Sequence, residues 1–245
     1  MRNCTRTQQG FTLVELVIII VILGVIASFA ARTMNQSIDT AKYEHTKTEL
    51  DQLALAIVGN SDLYARGARS DFGYVGDVGS LPPNLDALTA NPGGYSTWNG
   101  PYIETGAAAD DFKRDAWGTL YTYTDTLLRS TGSGSNIDKT FANSSADLLA
   151  NSLSGYVVDA GGEVPGSVRK DSLSIAIIYP DGSGSTTTVT TTPNAHGNFS
   201  FSGLPIGSHT LRIIYLPDAD TANYSIGIGP GTTNNMEITF PADLW

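Results

Sequence analysis

Glu15 is an acid set inside an almost continuously apolar run, residues 11–31, softened otherwise only by Thr12 and Ser28. A carboxylate within a membrane helix costs about 2.5–3.5 kcal/mol unless it is paired or hydrated. Glu15 therefore needs a partner, or else it lies near the helix start and snorkels to the interface. Gly10 directly precedes the run and is the small residue with a processing look on that side of it, behind a polar segment that carries Arg2 and Arg6 and no acid. A secretory signal peptide has the reverse order, with its small-residue cleavage site beyond the apolar run; residues 27–31 are only a weak candidate for that.

No other constellation points to catalysis. His45 falls on the expected long helix, His196 in an expected turn and His209 near a strand start, so no His-x-x-x-His or Cys/His ligand spacing exists. No Gly-x-Ser-x-Gly elbow and no phosphate-binding glycine loop between a strand and a helix is present. The acids Asp110 and Asp111, followed by Lys113 and Arg114, read as a solvated loop. The formal charge of -10, from 14 basic and 24 acidic residues, argues against nucleic acid as a partner. A single cysteine, Cys4, rules out an intramolecular disulfide.

The elements that would position these residues follow from periodicity. The apolar run is long enough to span a bilayer, and its cationic flank should stay cytoplasmic. No proline occurs between residues 11 and 81. Met34, Ile38 and Ala41, then Leu50, Leu53 and Ile57, continue at helical spacing, so one helix is expected from Phe11 to about Gly59. Gly24 is its weak point or a site of close helix packing. Residues 61–150 carry turn signals at Leu81-Pro82-Pro83 and Pro92-Gly93-Gly94, one helical turn at 85–88, and a strand around Tyr121 and Tyr123. Beyond a Ser-rich stretch, residues 143–154, seven short β runs are expected at 155–159, 173–179, 186–192, 198–201, 210–216, 224–228 and 236–240, the spacing of a small sandwich.

The segment Gly10-Phe11-Thr12-Leu13-Val14-Glu15-Leu16 resembles the recognition site of type IV prepilins and type II secretion pseudopilins. That resemblance implies cleavage after Gly10 by a prepilin peptidase, N-methylation of Phe11, and retention of the apolar run. It also implies pairing of Glu15 with the Phe11 amine of a neighbouring subunit. Cleavage would take the formal charge from -10 to -12, since Arg2 and Arg6 leave, and would discard Cys4. Gly100-Pro101-Tyr102 and Asp115-Ala116-Trp117-Gly118 with Tyr121 and Tyr123 are similar to the major pseudopilin head, where an oxygen-rich loop after the Tyr-x-Tyr strand binds calcium. The corresponding stretch is 125–138, with Asp125 and Asp138 as the candidate metal carboxylates; a glycine-serine loop is more often only a flexible turn. Residues 197–211, with Gly203-Leu204-Pro205-Ile206-Gly207, resemble carboxypeptidase regulatory-like, immunoglobulin-like domains.

The expected fold class is thus α+β: a long N-terminal transmembrane α-helix with a small αβ pilin head, followed by an all-β immunoglobulin-like sandwich. The expected divisions are a leader (1–10), the helix (11–60), the head (61–150) and the β-domain (151–245). The expected function is structural: a subunit of a pilus-like or secretion pseudopilus filament, major or minor, with the added domain favouring a minor one. Its partners would be the peptidase, other pilin or pseudopilin subunits, an inner-membrane assembly platform and membrane lipid. It would sit as a single pass in the inner membrane, N-terminus cytoplasmic, before assembly. Two alternatives remain: a filament- or membrane-mounted adhesin using the β-domain, and an anchored periplasmic protein with Gly10 uncut.

Overall fold

The computed structural model describes residues 10, 12–65, 67–104 and 110–245, with side chains for all but 232–235. Helix α1 spans Leu13–Val58. The chain divides into two compact units, Met1–His45 and Thr46–Trp245.

In the first unit, apart from Glu15 and Ser28, α1 is apolar all round over residues 13–31, and every large apolar side chain from 13 to 29 is exposed within the chain, from Ile19 at 44% to Leu13 at 81%. A helix with no polar face and no packing partner needs lipid or other helices around it, and α1 is long and apolar enough to cross a membrane. Its few hydroxyls are reconciled with such surroundings internally. Ser28, Thr33, Ser37 and Thr40 each donate to the carbonyl four residues back, at 2.8–3.0 Å.

In the second unit the end of α1 becomes one-sided. Leu50, Leu53, Ala54 and Ile57 are buried, at the three- and four-residue spacing of a core-facing stripe. Around them gather Tyr74, Val75 and Val78 of α2 (Gly73–Val78), Leu85 and Leu88 of a 3₁₀ turn, Tyr121 and Leu128. Asn84 caps that turn by accepting the Ala87 N–H. A small hairpin, β1 (Tyr64–Ala65) with β2 (Ala68–Arg69), precedes α2. A three-stranded antiparallel sheet completes the head: β3 (Thr122–Thr124), β4 (Leu127–Ser130) and β5 (Ile137–Thr140). Short α3 (Ser145–Leu149) follows, closed by a Ser144–Asp147 capping box.

Seven strands then form two sheets. Strands β7 (Leu173–Pro180), β8 (Thr186–Thr191), β10 (Gly207–Tyr215) and β11 (Asp220–Ile228) pair in the order β11-β10-β7-β8. Strands β6 (Asn151–Val158), β9 (Asn198–Leu204) and β12 (Thr232–Thr239) pair as β12-β6-β9, with β12 parallel to β6. A turn, α4 (Gly166–Arg169), lies between β6 and β7. The inward residues Leu153, Val157, Leu173, Ile175, Ile177, Phe199, Phe201, Leu211, Ile213, Ile226 and Phe240 make a second core. The fold is the expected pairing of a long helix and small head with a β-sandwich. The first strand starts earlier than expected, at Asn151 within the Ser-rich stretch. Leu153 points in while Ser152 and Ser154 face the wetter side, so alternation, not serine content, decides the conformation.

The sandwich is seated directly on the head. Ile206, in the Leu204-Pro205-Ile206-Gly207 turn between β9 and β10, is fully buried in the head's core, not the sandwich's own, and its N–H donates to Leu148 O at 2.8 Å. Gly79, with φ +80 at the end of α2, lies so near Pro180 that a Cβ there would fall 2.2 Å from its carbonyl oxygen. The Gly182 N–H donates to Val78 O, and the Ser96 N–H to Gly184 O.

Candidate processing and assembly site

Thr12 and Glu15 close the start of α1 on themselves. Glu15 Oε2 accepts the Thr12 N–H at 2.8 Å and the Thr12 hydroxyl at 2.9 Å, while Thr12 Oγ1 accepts the Glu15 N–H at 3.3 Å. This is a reciprocal capping box, which satisfies amide donors that the first helical turn leaves open. The negative charge also sits at the positive end of the helix dipole. Both bonds to the carboxylate fall on Oε2, and among the described residues no donor falls on Oε1. Glu15 thus has a partner inside its own chain, one that the sequence reading passed over although Thr-x-x-Glu ahead of an apolar run signals it.

Gly10 is exposed, and a Cβ on it would meet no described atom within 4 Å. Packing therefore does not demand glycine at this position. Phe11, expected to carry the methylated amine, and leader residues 1–9 lie outside the described residues.

The two candidate calcium carboxylates are not brought together. Asp125 occupies the β3–β4 turn with φ +42, whereas Asp138 is paired across β4 and β5 with Arg129. Arg129 Nε and Nη2 hold the two oxygens of Asp138 at 2.7 Å each, a bidentate pair that occupies the carboxylate. Asp125 thus lies in the turn ahead of β4, outside the β4–β5 pairing that holds Asp138. Among the described residues no group of three or more His, Cys, Asp or Glu could hold a metal. The residues at 125–138 do not fit the ion.

A different acid organises this corner of the head. Asp115, 4% exposed, accepts the N–H groups of Trp117 and Thr119 on Oδ1, and the Ser130 hydroxyl and Gly132 N–H on Oδ2, at 2.6–3.0 Å. Burial works to raise its pKa, and these four donors outweigh it, holding the carboxyl below the usual range. Nearby, Thr46 accepts the Ala116 N–H and the Tyr121 hydroxyl donates to Glu49, tying this segment to α1.

Comparison with known proteins matches the arrangement at both scales. Residues 5–31 match the family described as the prokaryotic N-terminal methylation motif. The type II secretion system core protein G of Xanthomonas campestris pv. campestris is 31% identical over 108 residues, 42% of this chain and 66% of that protein. The protein of the same name from Pseudomonas aeruginosa is 30% identical over 122 residues, 48% of this chain and 74% of that protein. The chain thus spans about two thirds to three quarters of these curated relatives. Among solved structures, the dioxygenase domain of a dioxygenase carbohydrate-binding protein fusion from Streptomyces sp. SirexAA-E covers 42% of this chain and 86% of its own at 12% identity, with a TM-score of 0.29. With the methylation motif at its N-terminus and a pseudopilin head on the same helix, the chain belongs to the type II secretion system core protein G family of pseudopilins.

Proposed function

We propose that this chain is made as a precursor, cut after Gly10 by a prepilin peptidase and methylated on Phe11. It is held in the inner membrane by the first part of α1, N-terminus cytoplasmic, and then assembled as a specialised, minor subunit of a type II secretion pseudopilus. The observation that carries this reading is the site at the head of α1: an exposed glycine with no packing role, then a capped acid five residues on, in a helix whose large apolar side chains from 13 to 29 are all exposed. Cleavage adds an amine, and a neighbour's amine is the donor that Glu15 Oε1 still lacks; pairing removes two charges from an apolar interior.

The β-domain supports the minor role. Ile206 plugs the head core and Gly79 abuts Pro180, so every copy carries the sandwich in one fixed seat. A filament built wholly of such subunits would have to accommodate the whole domain at every position. The sandwich also has a core of its own, which favours a second reading in which it presents a binding surface from the filament. Deletion of the gene, with secretion and surface piliation assayed in parallel, tests the assignment: loss of secretion with piliation intact is expected, and the converse would assign the chain to a pilus. Normal secretion with a chain ending at residue 150 would speak against the mounted binding module.

A further inference from the structure

A cation-binding loop works by gathering oxygens around a positive charge. In this head the arrangement is inverted, with donors gathered around a negative one. A carboxylate offers about four lone-pair sites, and Asp115 has four donors from two segments of chain: Trp117 and Thr119 from its own turn, Ser130 and Gly132 from the end of β4 and the loop beyond it. The loop then turns on itself. The Ser133 hydroxyl donates to Ser135 O, the Ser135 N–H to Ser133 Oγ, and the Gly134 N–H to Thr131 O. Gly132 is required by this closure, since a Cβ on it would lie 2.3 Å from Asp115 Oδ2. Across the base of the loop Arg129 takes both oxygens of Asp138. Residues 125–138 contain Asp125, Arg129 and Asp138 as their charged side chains, a net of -1, whereas calcium affinity rises with the number of carboxylates that converge on the ion.

We propose that the Asp115 carboxylate, together with the Arg129–Asp138 pair, replaces a divalent cation in closing the β4–β5 loop, so that this head is stable without calcium. The subunit would then keep its shape whatever the calcium level on the far side of the inner membrane.

The test uses the full-length chain in detergent. Thermal unfolding is followed in EDTA and in millimolar CaCl2, and calcium is titrated calorimetrically into metal-stripped protein. The same melting temperature in both media and no saturable calcium heat are expected. A melting temperature that falls in EDTA and returns with CaCl2, or a one-to-one calcium isotherm, would overturn the proposal. Asp115→Asn places an amide nitrogen against the Ser130 hydroxyl or the Gly132 N–H, and should lower the melting temperature by several degrees with no recovery in calcium. Ser130→Ala removes one donor and leaves three, and provides the same readout should the asparagine variant not fold. Wild-type stability in both variants would show that Asp115 does not close the loop.

Discussion

Thr12 and Glu15 share one capping box, yet they should fail in different ways. Thr12→Val removes the hydroxyl, and with it the bond to Glu15 Oε2 at 2.9 Å and the acceptor of the Glu15 N–H at 3.3 Å. The Thr12 N–H remains on Oε2 at 2.8 Å. Loss of a helix cap costs about 0.5–2 kcal/mol, so the first turn of α1 becomes several-fold less populated, and the Glu15 charge is untouched. Glu15→Val also breaks the cap. In addition it frees the lone subunit from the membrane cost of about 2.5–3.5 kcal/mol and leaves the neighbour's amine with nothing to neutralise it. Retention in the membrane therefore improves while assembly loses its ion pair. The assay is intact mass for maturation alongside the yield of sheared filaments. Thr12→Val should mature and assemble with a yield reduced by no more than about thirtyfold, the factor that the upper cap cost of about 2 kcal/mol allows. Glu15→Val should mature and give no filaments. Equal loss in both variants would make the cap itself the functional element, and normal filaments from Glu15→Val would refute the pairing argument.

The seat of the β-domain is tested by Ile206→Ala, which truncates a fully buried side chain in the head core and should cost about 2–5 kcal/mol, read as a lowered urea midpoint with an unchanged fold of the sandwich strands. His209, 2% exposed with Nε2 on Pro205 O at 2.8 Å and Nδ1 buried with no partner among the described residues, has its pKa pushed down by burial against the smaller raising effect of the Pro205 carbonyl. The unfolded chain then binds a proton that the folded chain refuses, so stability is full above the ordinary histidine value of about 6.5 and falls as pH drops through it toward the folded value. Melting temperatures measured from pH 7.5 to 5 should decline in the wild type and decline less in His209→Gln; parallel curves would clear His209 of that role.

The parts of this molecule that sequence revealed are those written in short-range periodicity. The apolar run, the helical spacing through Ile57 and the seven β runs each express a contact rule that repeats within a few residues. Gly10 and Glu15 were visible because a small residue and an acid stand out at the edge of and inside an apolar run. What escaped notice depends on pairing at a distance or on reading a local signal for one purpose only. Glu15 was weighed as a buried charge needing an outside partner, and Thr12 three residues earlier went unexamined as its cap. Asp115 draws its donors from residues 2 to 17 positions onward, three of them backbone groups of no distinctive type. Asp138 looked available for metal because Arg129, nine residues earlier, meets it only through the β4–β5 register. Ile206 reads as the variable position of a sandwich turn, and only tertiary packing gives it to the head.

Intact-mass analysis of the protein purified from membranes tests the central claim most directly. A mature chain that lacks residues 1–10 and carries one methyl group on Phe11 is the expected result. A full-length, unmodified chain beginning at Met1 would contradict the account.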